Sequence, residues 1–224
     1  MTLLPERMTM PDFSDKIILI AGAGRRFGRE LAVAFASRGG FTALHDLTPV
    51  TLEATLEAIR AVGGQAQTHV ADIASKLALQ TMLNAILDEH RRIDVLVNCI
   101  SSDPHDPLLD LDEWHWRRAL DLNLTGPFLL IQSVARVMRE QGGGTILNVI
   151  ALEAASPVGT SGKLALAGLT QSAAPELMAY NIRINALCSN CPAADHRPDL
   201  PLPPIERALA LCLGEETGQL VSRQ

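Results

Sequence analysis

The sequence predicts a single α/β domain in which helices cover both faces of a doubly wound parallel sheet. Three observations support this fold class. Short apolar runs alternate with segments of helical periodicity, which is the pattern of repeated β-α-β units. The apolar runs are continuous, as expected for strands buried on both faces. The 224 residues are enough for one domain with one sizeable core.

The first half of the chain alternates strands and helices that have recognisable ends. Four strands of apolar or β-branched residues are predicted at 17–21, 42–45, 66–70 and 93–97. Three helices lie between them, at 27–38, 48–62 and 75–87. Glycine pairs follow the first two helices, Thr48 and Ser75 stand at N-cap positions, and Pro49 stands at a first helical position.

The second half continues the alternation and then changes character. A long helical region is predicted at 110–138, a strand at 145–150, a helix at 163–178 and a sixth strand at 182–187. Pro175 removes one hydrogen bond inside that last helix. A proline-rich extended loop at 192–204, a helix at 205–213 and a final edge strand at 219–221 complete a short, truncated C-terminal region.

Composition excludes several classes of function. The net charge is −6 and the isoelectric point about 5.5, which argues against binding to nucleic acid or to an anionic membrane. No apolar run is long enough to span a bilayer, and the first residues lack the apolar core of a secretory signal. With only four cysteines, the chain is expected to be cytoplasmic. We assign residues 1–14 to an N-terminal extension and 15–224 to the single domain.

A glycine-rich turn joins the first strand to the first helix, running from Gly22 to Gly28. Glycines there let the backbone approach a pyrophosphate, and the helix start offers free N–H groups and a positive dipole end. Asp46 closes the second strand, 24 residues after Gly22. A carboxylate at that place accepts hydrogen bonds from an adenosine ribose and repels a 2′-phosphate, which favours NAD(H) over NADP(H). The alternative is a turn or helix-capping role for Asp46.

Further motifs follow in the order of the elements. They are Asp72-Ile73 after the third strand, Asn98-Cys99-Ile100-Ser101 after the fourth, Asn123 in the long helix and Lys163 beginning the next one. With the glycine-rich turn, they resemble the classical short-chain dehydrogenase/reductase family over roughly residues 16–194. The resemblance implies a Rossmann fold, a dinucleotide cofactor and a redox reaction between carbonyl and alcohol.

The resemblance also implies roles for individual residues. The residues expected to bind the cofactor are Gly22, Arg25, Arg26, Phe27, Gly28, Asp46, Asp72, Ile73, Asn98 and Lys163. Asp72 would lie beside the adenine, with a turn acid as the alternative. Asn123 and Lys163 are the remnants of the catalytic group, and Asn123 has a backbone-bonding role as its alternative.

The chain departs from the family pattern in the catalytic group and in the phosphate loop. The family's tyrosine lies four residues before its lysine, where this chain has Gly159, and its serine falls on Ala151. The one tyrosine of the sequence is Tyr180, which follows the predicted helix at 163–178. Arg26 replaces the middle glycine of the phosphate loop and either crowds a cofactor or pairs with its phosphate.

These departures lead to two hypotheses of different class. In the first, the chain is a degenerate family member that binds NAD(H) without efficient turnover, as a nucleotide-binding module or an inactive subunit. In the second, it is an NAD(H)-dependent oxidoreductase with an unconventional proton donor, for which Cys99 is a candidate. General-acid catalysis is commonly worth about 10²- to 10⁴-fold in rate, so losing the donor favours the first hypothesis.

The sequence also bears on metal binding and on assembly. Cys188 and Cys191 form a C-x-x-C pair with only His196 nearby, so no metal site is predicted. By resemblance, a homodimer or homotetramer would pair through the long helix and the helix after Lys163, and a hetero-oligomer with an active relative is the alternative. The apolar residues proposed for that interface are Leu120, Leu124, Leu130, Leu166 and Leu169, with packing on the sheet as their other possible role.

Overall fold

A computed structural model describes residues 12–152, 156–189 and 204–222, and it contains one parallel sheet of seven strands. The strands are β1 (Ile17–Ala21), β2 (Phe41–Asp46), β3 (Gln65–Val70), β4 (Val95–Asn98), β5 (Gly144–Ala151), β6 (Ile182–Ser189) and β7 (Leu220–Ser222). The helices are α1 (Arg26–Ala36), α2 (Pro49–Ala61), α3 (Lys76–His90), α4 (Glu113–Leu120), α5 (Gly126–Gln141), α6 (Pro157–Met178) and α7 (Pro204–Leu213). A π-helical turn, Asp121–Thr125, joins α4 to α5.

The strand order determines where a ligand site can form. It is β3-β2-β1-β4-β5-β6-β7, with parallel pairing throughout. The chain therefore builds outward from β1 to one edge and then returns to build outward from β4 to the other. In open α/β sheets, ligands bind in the crevice beyond the carboxyl ends of the strands, at the point where the order reverses. That point is the β1–β4 boundary.

Helices cover both faces of the sheet, as the continuous apolar strands predicted. Apolar side chains of α1, α2 and α7 form the core on one face, and those of α3, α5 and α6 form it on the other. Leu44 and Leu147 point into the first core, whereas Ala43 and Ile146 point into the second. The predicted fold class, a single Rossmann-type domain with a doubly wound sheet, is confirmed.

Three local predictions need correction. α6 begins at Pro157, six residues before the predicted start, because Ser156 caps it by accepting the N–H of Gly159 at 3.2 Å. The long helical region begins at Glu113, after Asp112 accepts the N–H of His115 at 2.8 Å. Thr48 occupies the predicted N-cap position but makes no capping bond through its side chain.

The chain ends of the domain contribute to its packing. Phe13 is 1% exposed and packs edge-on against Phe35, so residue 13 already belongs to the core. The predicted final strand is present as β7, which pairs in parallel with β6. The predicted proline-rich loop lies almost wholly outside the described residues. Within the described ranges, no helix is long and apolar enough to cross a membrane.

Candidate functional site

The glycine-rich turn brings α1 against the end of β1 at the point where the strand order reverses. Gly22 has φ +83°, and a Cβ there would lie 2.8 Å from the Cys99 backbone. A Cβ on Gly28 would lie 2.1 Å from the carbonyl oxygen of Gly22. Both positions therefore require glycine, and their close contact fixes the start of α1 above the strand ends.

Side chains hold this turn by its carbonyl groups. The Arg29 guanidinium donates to the carbonyl of Gly24 at 2.8 Å and to the hydroxyl of Thr55 at 3.1 Å. The Thr55 hydroxyl donates in turn to the carbonyl of Ala23 at 3.0 Å. These two side chains hold the turn through its carbonyl oxygens and so do not compete for the N–H groups at the start of α1, which are the groups that bind a phosphate.

The next residues of the turn differ in exposure. Arg25 and Arg26 are exposed, whereas the Phe27 side chain is 6% exposed and packs in the core. Arg26 has φ +47°, in the left-handed region that favours glycine. Of these three predicted cofactor residues, only the two arginines present their side chains to solvent.

Asp46 lies beside the turn at the end of β2. One carboxylate oxygen accepts the N–H of Gly24 at 3.1 Å, and the other accepts the N–H of Leu47 at 2.7 Å. A Cβ on Gly24 would come within 2.4 Å of the Asp46 carboxylate, so glycine permits this approach. The half-buried carboxylate retains lone pairs for a further donor.

His45 supports the same turn from below. Its backbone carbonyl accepts the N–H groups of Gly22 and Ala23, each at 2.9 Å. Its ring is 1% exposed, and Nε2 lies 2.9 Å from the carbonyl of Ala71. Burial lowers the pKa of His45, so the neutral ring with its proton on Nε2 donates this bond.

Asp72 and Ile73 lie further out, after β3. The Asp72 carboxylate accepts the N–H of Ala74 at 3.0 Å and pairs with Arg118 at 2.9 Å, so both oxygens are engaged. The Ile73 side chain is fully buried beneath Gly126. A ligand can contact Ile73 only through its backbone, and the observed bonds of Asp72 fit the alternative role of a turn acid.

Beyond the β1–β4 boundary, the predicted site residues bond mainly to the protein. The Asn98 amide donates to the Asn148 side chain at 2.7 Å, and Asn148 donates to the Thr170 hydroxyl at 2.9 Å. Asn98 is 2% exposed. This buried chain of bonds ties β4 to β5 and α6, which is a structural task for Asn98.

Asn123 is held in the same way by the loop after β4. The π-helical turn directs its amide group toward Ser102, whose N–H it accepts at 2.8 Å and to whose carbonyl it donates at 2.6 Å. The residue is 1% exposed. Its backbone-bonding alternative is therefore the one observed, and both polar atoms of the amide are used.

Lys163 forms a buried ion pair that the sequence did not indicate. Its Nζ lies 2.5 Å from Oδ2 of Asp103, and its side chain is 5% exposed. The Ser101 hydroxyl donates to the same carboxylate oxygen at 3.0 Å. Asp103 stands in the loop after β4, 60 residues from Lys163, so no sequence spacing connects the two.

Gly159 lies one helical turn before Lys163, on the same side of α6. A Cβ on Gly159 would lie 1.8 Å from Oδ1 of Asp103. That distance is far shorter than any contact between nonbonded atoms, so the carboxylate occupies the space of the missing side chain. Ala151, the last residue of β5, adds no hydroxyl to this group.

The other sequence candidates have separate positions. Tyr180 lies between α6 and β6, at the amino ends of the strands and away from the site, and it is 45% exposed with the Arg139 guanidinium over its ring. Cys99 is half-buried beside Gly28. Within the parts of the chain that the structure describes, no group of three or more histidine, cysteine or acidic side chains is placed to hold a metal. Cys191 and His196 lie outside those parts.

The proposed interface residues divide into two groups. Leu130 and Leu166 are buried in the core, so their expected contribution to an interface is wrong and their packing on the sheet is the observed role. Leu120, Leu124 and Leu169 are partly exposed. The exposed large apolar residues on these helices are other ones, namely Trp114, Trp116, Phe128, Leu164 and Met178.

Comparison with known proteins gives a consistent result. The family model described as short chain dehydrogenase matches residues 16–200. An uncharacterized oxidoreductase of Thermotoga maritima is 33% identical over 187 residues, 79% of this chain and 72% of that protein. A 3-oxoacyl-[acyl-carrier-protein] reductase of Synechocystis is 30% identical over 90% of this chain and 84% of its own.

Solved structures give the same fold. A 7α-hydroxysteroid dehydrogenase complexed with NADH and 7-oxo glycochenodeoxycholic acid superposes with a TM-score of 0.82 at 27% identity. The superposition covers 95% of this chain and 94% of that one.

Proposed function

The chain belongs to the short-chain dehydrogenase/reductase family, and from that premise we propose that it binds NAD(H) but performs the family's carbonyl–alcohol reaction poorly. The observation that carries the proposal is the space at Gly159, which holds the Asp103 carboxylate in place of a phenol. The protein would then serve as a nucleotide-binding module or as an inactive subunit.

The glycine cradle supports dinucleotide binding. Gly22, Gly24 and Gly28 each stand where a Cβ would collide with neighbouring atoms, which is the close packing that a pyrophosphate turn requires. The half-buried carboxylate of Asp46 beside Gly24 supports NAD(H) over NADP(H), because it would repel a 2′-phosphate. The solved relative that holds NADH supports the same choice.

The impairment follows from acid–base chemistry. A bound nicotinamide supplies or accepts the hydride, and the protein has to move the proton. Glycine at 159 and alanine at 151 have no proton to give, and Lys163 is paired with Asp103. A missing general acid costs about 10²- to 10⁴-fold in rate.

One observation favours the second hypothesis, an oxidoreductase with an unconventional donor. Asp103 is a titratable group next to Lys163, in the space that the phenol would occupy. In that case, the Asp103 carboxyl would take the place of the phenol in proton transfer. Steady consumption of NADH with any member of a panel of ketones and aldehydes, abolished by Asp103→Asn, would establish this second function.

Calorimetric titration with NADH and with NADPH tests the binding proposal. We expect micromolar affinity for NADH and at least about tenfold weaker binding of NADPH, a difference of roughly 1.4 kcal/mol. Asp46→Ala should reduce that preference, whereas Ala substitution of the exposed Asp106 should preserve it. Failure of both nucleotides to bind would reject the proposal.

Rebuilding the catalytic group tests the impairment. The triple variant Asp103→Ala, Gly159→Tyr, Ala151→Ser supplies a phenol and a hydroxyl and removes the carboxylate that occupies the space at position 159. We expect NADH oxidation with a carbonyl panel to rise by about 100-fold or more over the unmodified chain. The matched control has Phe in place of Tyr at 159, which fills the same space without a donor. Equal rates in both variants would contradict the proposal.

For assembly, we propose a homodimer or homotetramer that uses α4, α5 and α6, with a hetero-oligomer as the alternative. Support comes from the exposed Trp114, Phe128 and Leu164 on those helices. Light scattering at micromolar concentration tests it: Phe128→Asp should reduce the measured mass, and a monomeric unmodified chain would exclude the homo-oligomer.

A further inference from the structure

The candidate site has two parts on either side of the β1–β4 boundary. The first part is the adenosine part, built from Gly22–Gly28 and Asp46 at the ends of β1 and β2. The second part is built from Ser101, Ser102, Asp103, Asn123 and Lys163, beyond the ends of β4 and β5. A dinucleotide lies across such a boundary, with its pyrophosphate at the start of the first helix and its adenosine ribose at the acid after the second strand. Its other nucleoside must therefore lie over the second part.

The polar groups of the second part already bond to one another. Lys163 pairs with Asp103 at 2.5 Å, Ser101 donates to the same carboxylate at 3.0 Å, and Asn123 uses both amide atoms on Ser102. Lys163 is 4% exposed and Asn123 is 1% exposed. Oδ1 of Asp103 has no hydrogen-bond partner, but it is buried against Gly159. A ligand hydroxyl that approaches from the crevice therefore meets side-chain atoms that are either buried or already bonded.

The adenosine part is different. Both Arg25 and Arg26 expose their side chains at the start of α1, where a phosphate would bind. Asp46 bonds only to backbone N–H groups and keeps lone pairs free. The adenosine part can therefore bind its portion of a ligand without breaking an ion pair.

Building on the proposed function, we infer that the site takes its affinity from the adenosine diphosphate portion of its ligand and gains little from the second nucleoside. The Asp103–Lys163 pair is the specificity-determining element, since it holds the cation that a second ribose would need. The ligands expected to bind are therefore adenine nucleotides with a diphosphate group, whether or not a nicotinamide nucleoside is attached.

The pair lowers dinucleotide affinity through a population effect. If the pair is closed for about 90% of the time, binding that needs free Lys163 is weakened about tenfold. A ligand that contacts only the adenosine part does not depend on that equilibrium. Substitution of Asp103 should therefore change the affinity for a dinucleotide and leave the affinity for an adenosine diphosphate ligand unchanged.

The test is calorimetric titration of the full chain with ADP and with NADH. We expect the two dissociation constants to agree within about threefold. Asp103→Ala should tighten NADH by about tenfold and leave ADP unchanged. Asp103→Asn keeps the volume and removes the charge, so it should act in the same direction if the alanine variant folds poorly. Ala substitution of the exposed Asp106 in the same loop should change neither ligand.

Gly159→Ala provides an independent variant. Its Cβ would meet Oδ1 of Asp103 at 1.8 Å and must displace the carboxylate, so NADH should again bind more tightly while ADP does not. The inference is overturned if the unmodified chain binds NADH more than about tenfold more tightly than ADP. It is also overturned if the Asp103 variants leave the ratio of the two constants unchanged. Absence of binding by both ligands would instead reject the proposed nucleotide site, and the inference with it.

Discussion

The two parts of the candidate site are built from different material. The adenosine part depends on backbone: glycines that pack without Cβ atoms, N–H groups at a helix start, and a carboxylate fixed by backbone donors. The second part depends on side chains that bond to one another, with the Asp103–Lys163 pair at its centre. The first part keeps two glycines of the family's phosphate loop and has Arg26 in place of the middle one, whereas the second part lacks the family's tyrosine and serine.

The difference shows which features a chain can change while it keeps its fold. The glycine contacts hold α1 against the sheet, so altering them disturbs packing as well as binding. The side chains of the second part surround a crevice, and Asp103 can fill the place of another group there without moving a strand. A substitution in the adenosine part therefore changes both binding and stability, whereas a substitution in the second part can change binding and leave the fold intact.

The largest effect is expected in the backbone-built part. Gly28→Ala places a Cβ 2.1 Å from the carbonyl of Gly22, and forced overpacking of this kind costs roughly 3 kcal/mol of unfolding free energy. Urea unfolding measures it. The control is Gly168→Ala in α6, where nothing lies within 4 Å of the added atom, and helix propensity should make it neutral or slightly stabilising. Equal losses of unfolding free energy at both glycines would contradict the view that the close contact of Gly28 with Gly22 stabilises the fold.

A smaller effect is expected from Lys163→Met in the second part. Removing the lysine leaves the Asp103 charge without a partner. Because Asp103 is partly exposed, we expect the free energy of unfolding to fall by only about 2 kcal/mol. The double variant with Asp103→Asn should recover much of that loss. A double-mutant cycle by urea unfolding gives the coupling energy. Simple additivity would show that the two side chains do not interact in solution.

Acidification should lower the free energy of unfolding through two fully or partly buried histidines, one of which, His45, supports the adenosine part. Burial lowers the pKa of His45 and of His69, and for His45 it outweighs the attraction of Asp46 and Asp72. The unfolded chain therefore takes up protons first, so unfolding free energy is lost as pH falls below about 6.5, by about 1 kcal/mol per unit for each ring. Thermal unfolding between pH 7.5 and 5.5 measures it. His45→Gln should flatten the dependence, whereas substituting the exposed His105 should not.

The smallest effect is expected at Arg26. Its φ of +47° costs more for arginine than for glycine, so Arg26→Gly should stabilise the chain by about 0.5 kcal/mol after the added freedom of the unfolded state is counted. Arg25 has φ −146°, and Arg25→Gly should bring no such gain. Thermal unfolding compares the two. ADP affinity should fall several-fold in the Arg26 variant if that guanidinium contacts phosphate.

Sequence patterns predicted the fold well because they report burial and local geometry. Most of the central strands are continuous apolar runs, whereas β3 is polar and partly exposed, and each strand was located within about two residues of its observed ends. The start of α6 was missed because Gly159 and Gly162 disfavour a helix, although Ser156 and Pro157 form a recognisable cap and first position.

The second part of the site was less predictable for a physical reason. Asp103 is an ordinary loop acid in the sequence, and only the packing of α6 against the loop after β4 brings it to Lys163. One signal was available in Gly159 itself, since a glycine next to a buried lysine leaves a space that another group must fill. The identity of that group depends on tertiary structure.

The contact between Gly159 and Asp103 also limits the order in which this chain can change. A tyrosine cannot enter at 159 while Asp103 remains, because the first atom of its side chain would overlap the carboxylate. Removing Asp103 first leaves Lys163 buried without its counter-ion. Each single step toward a phenol at this position therefore passes through a less stable protein, and a screen of single substitutions for recovered turnover would miss the productive pair.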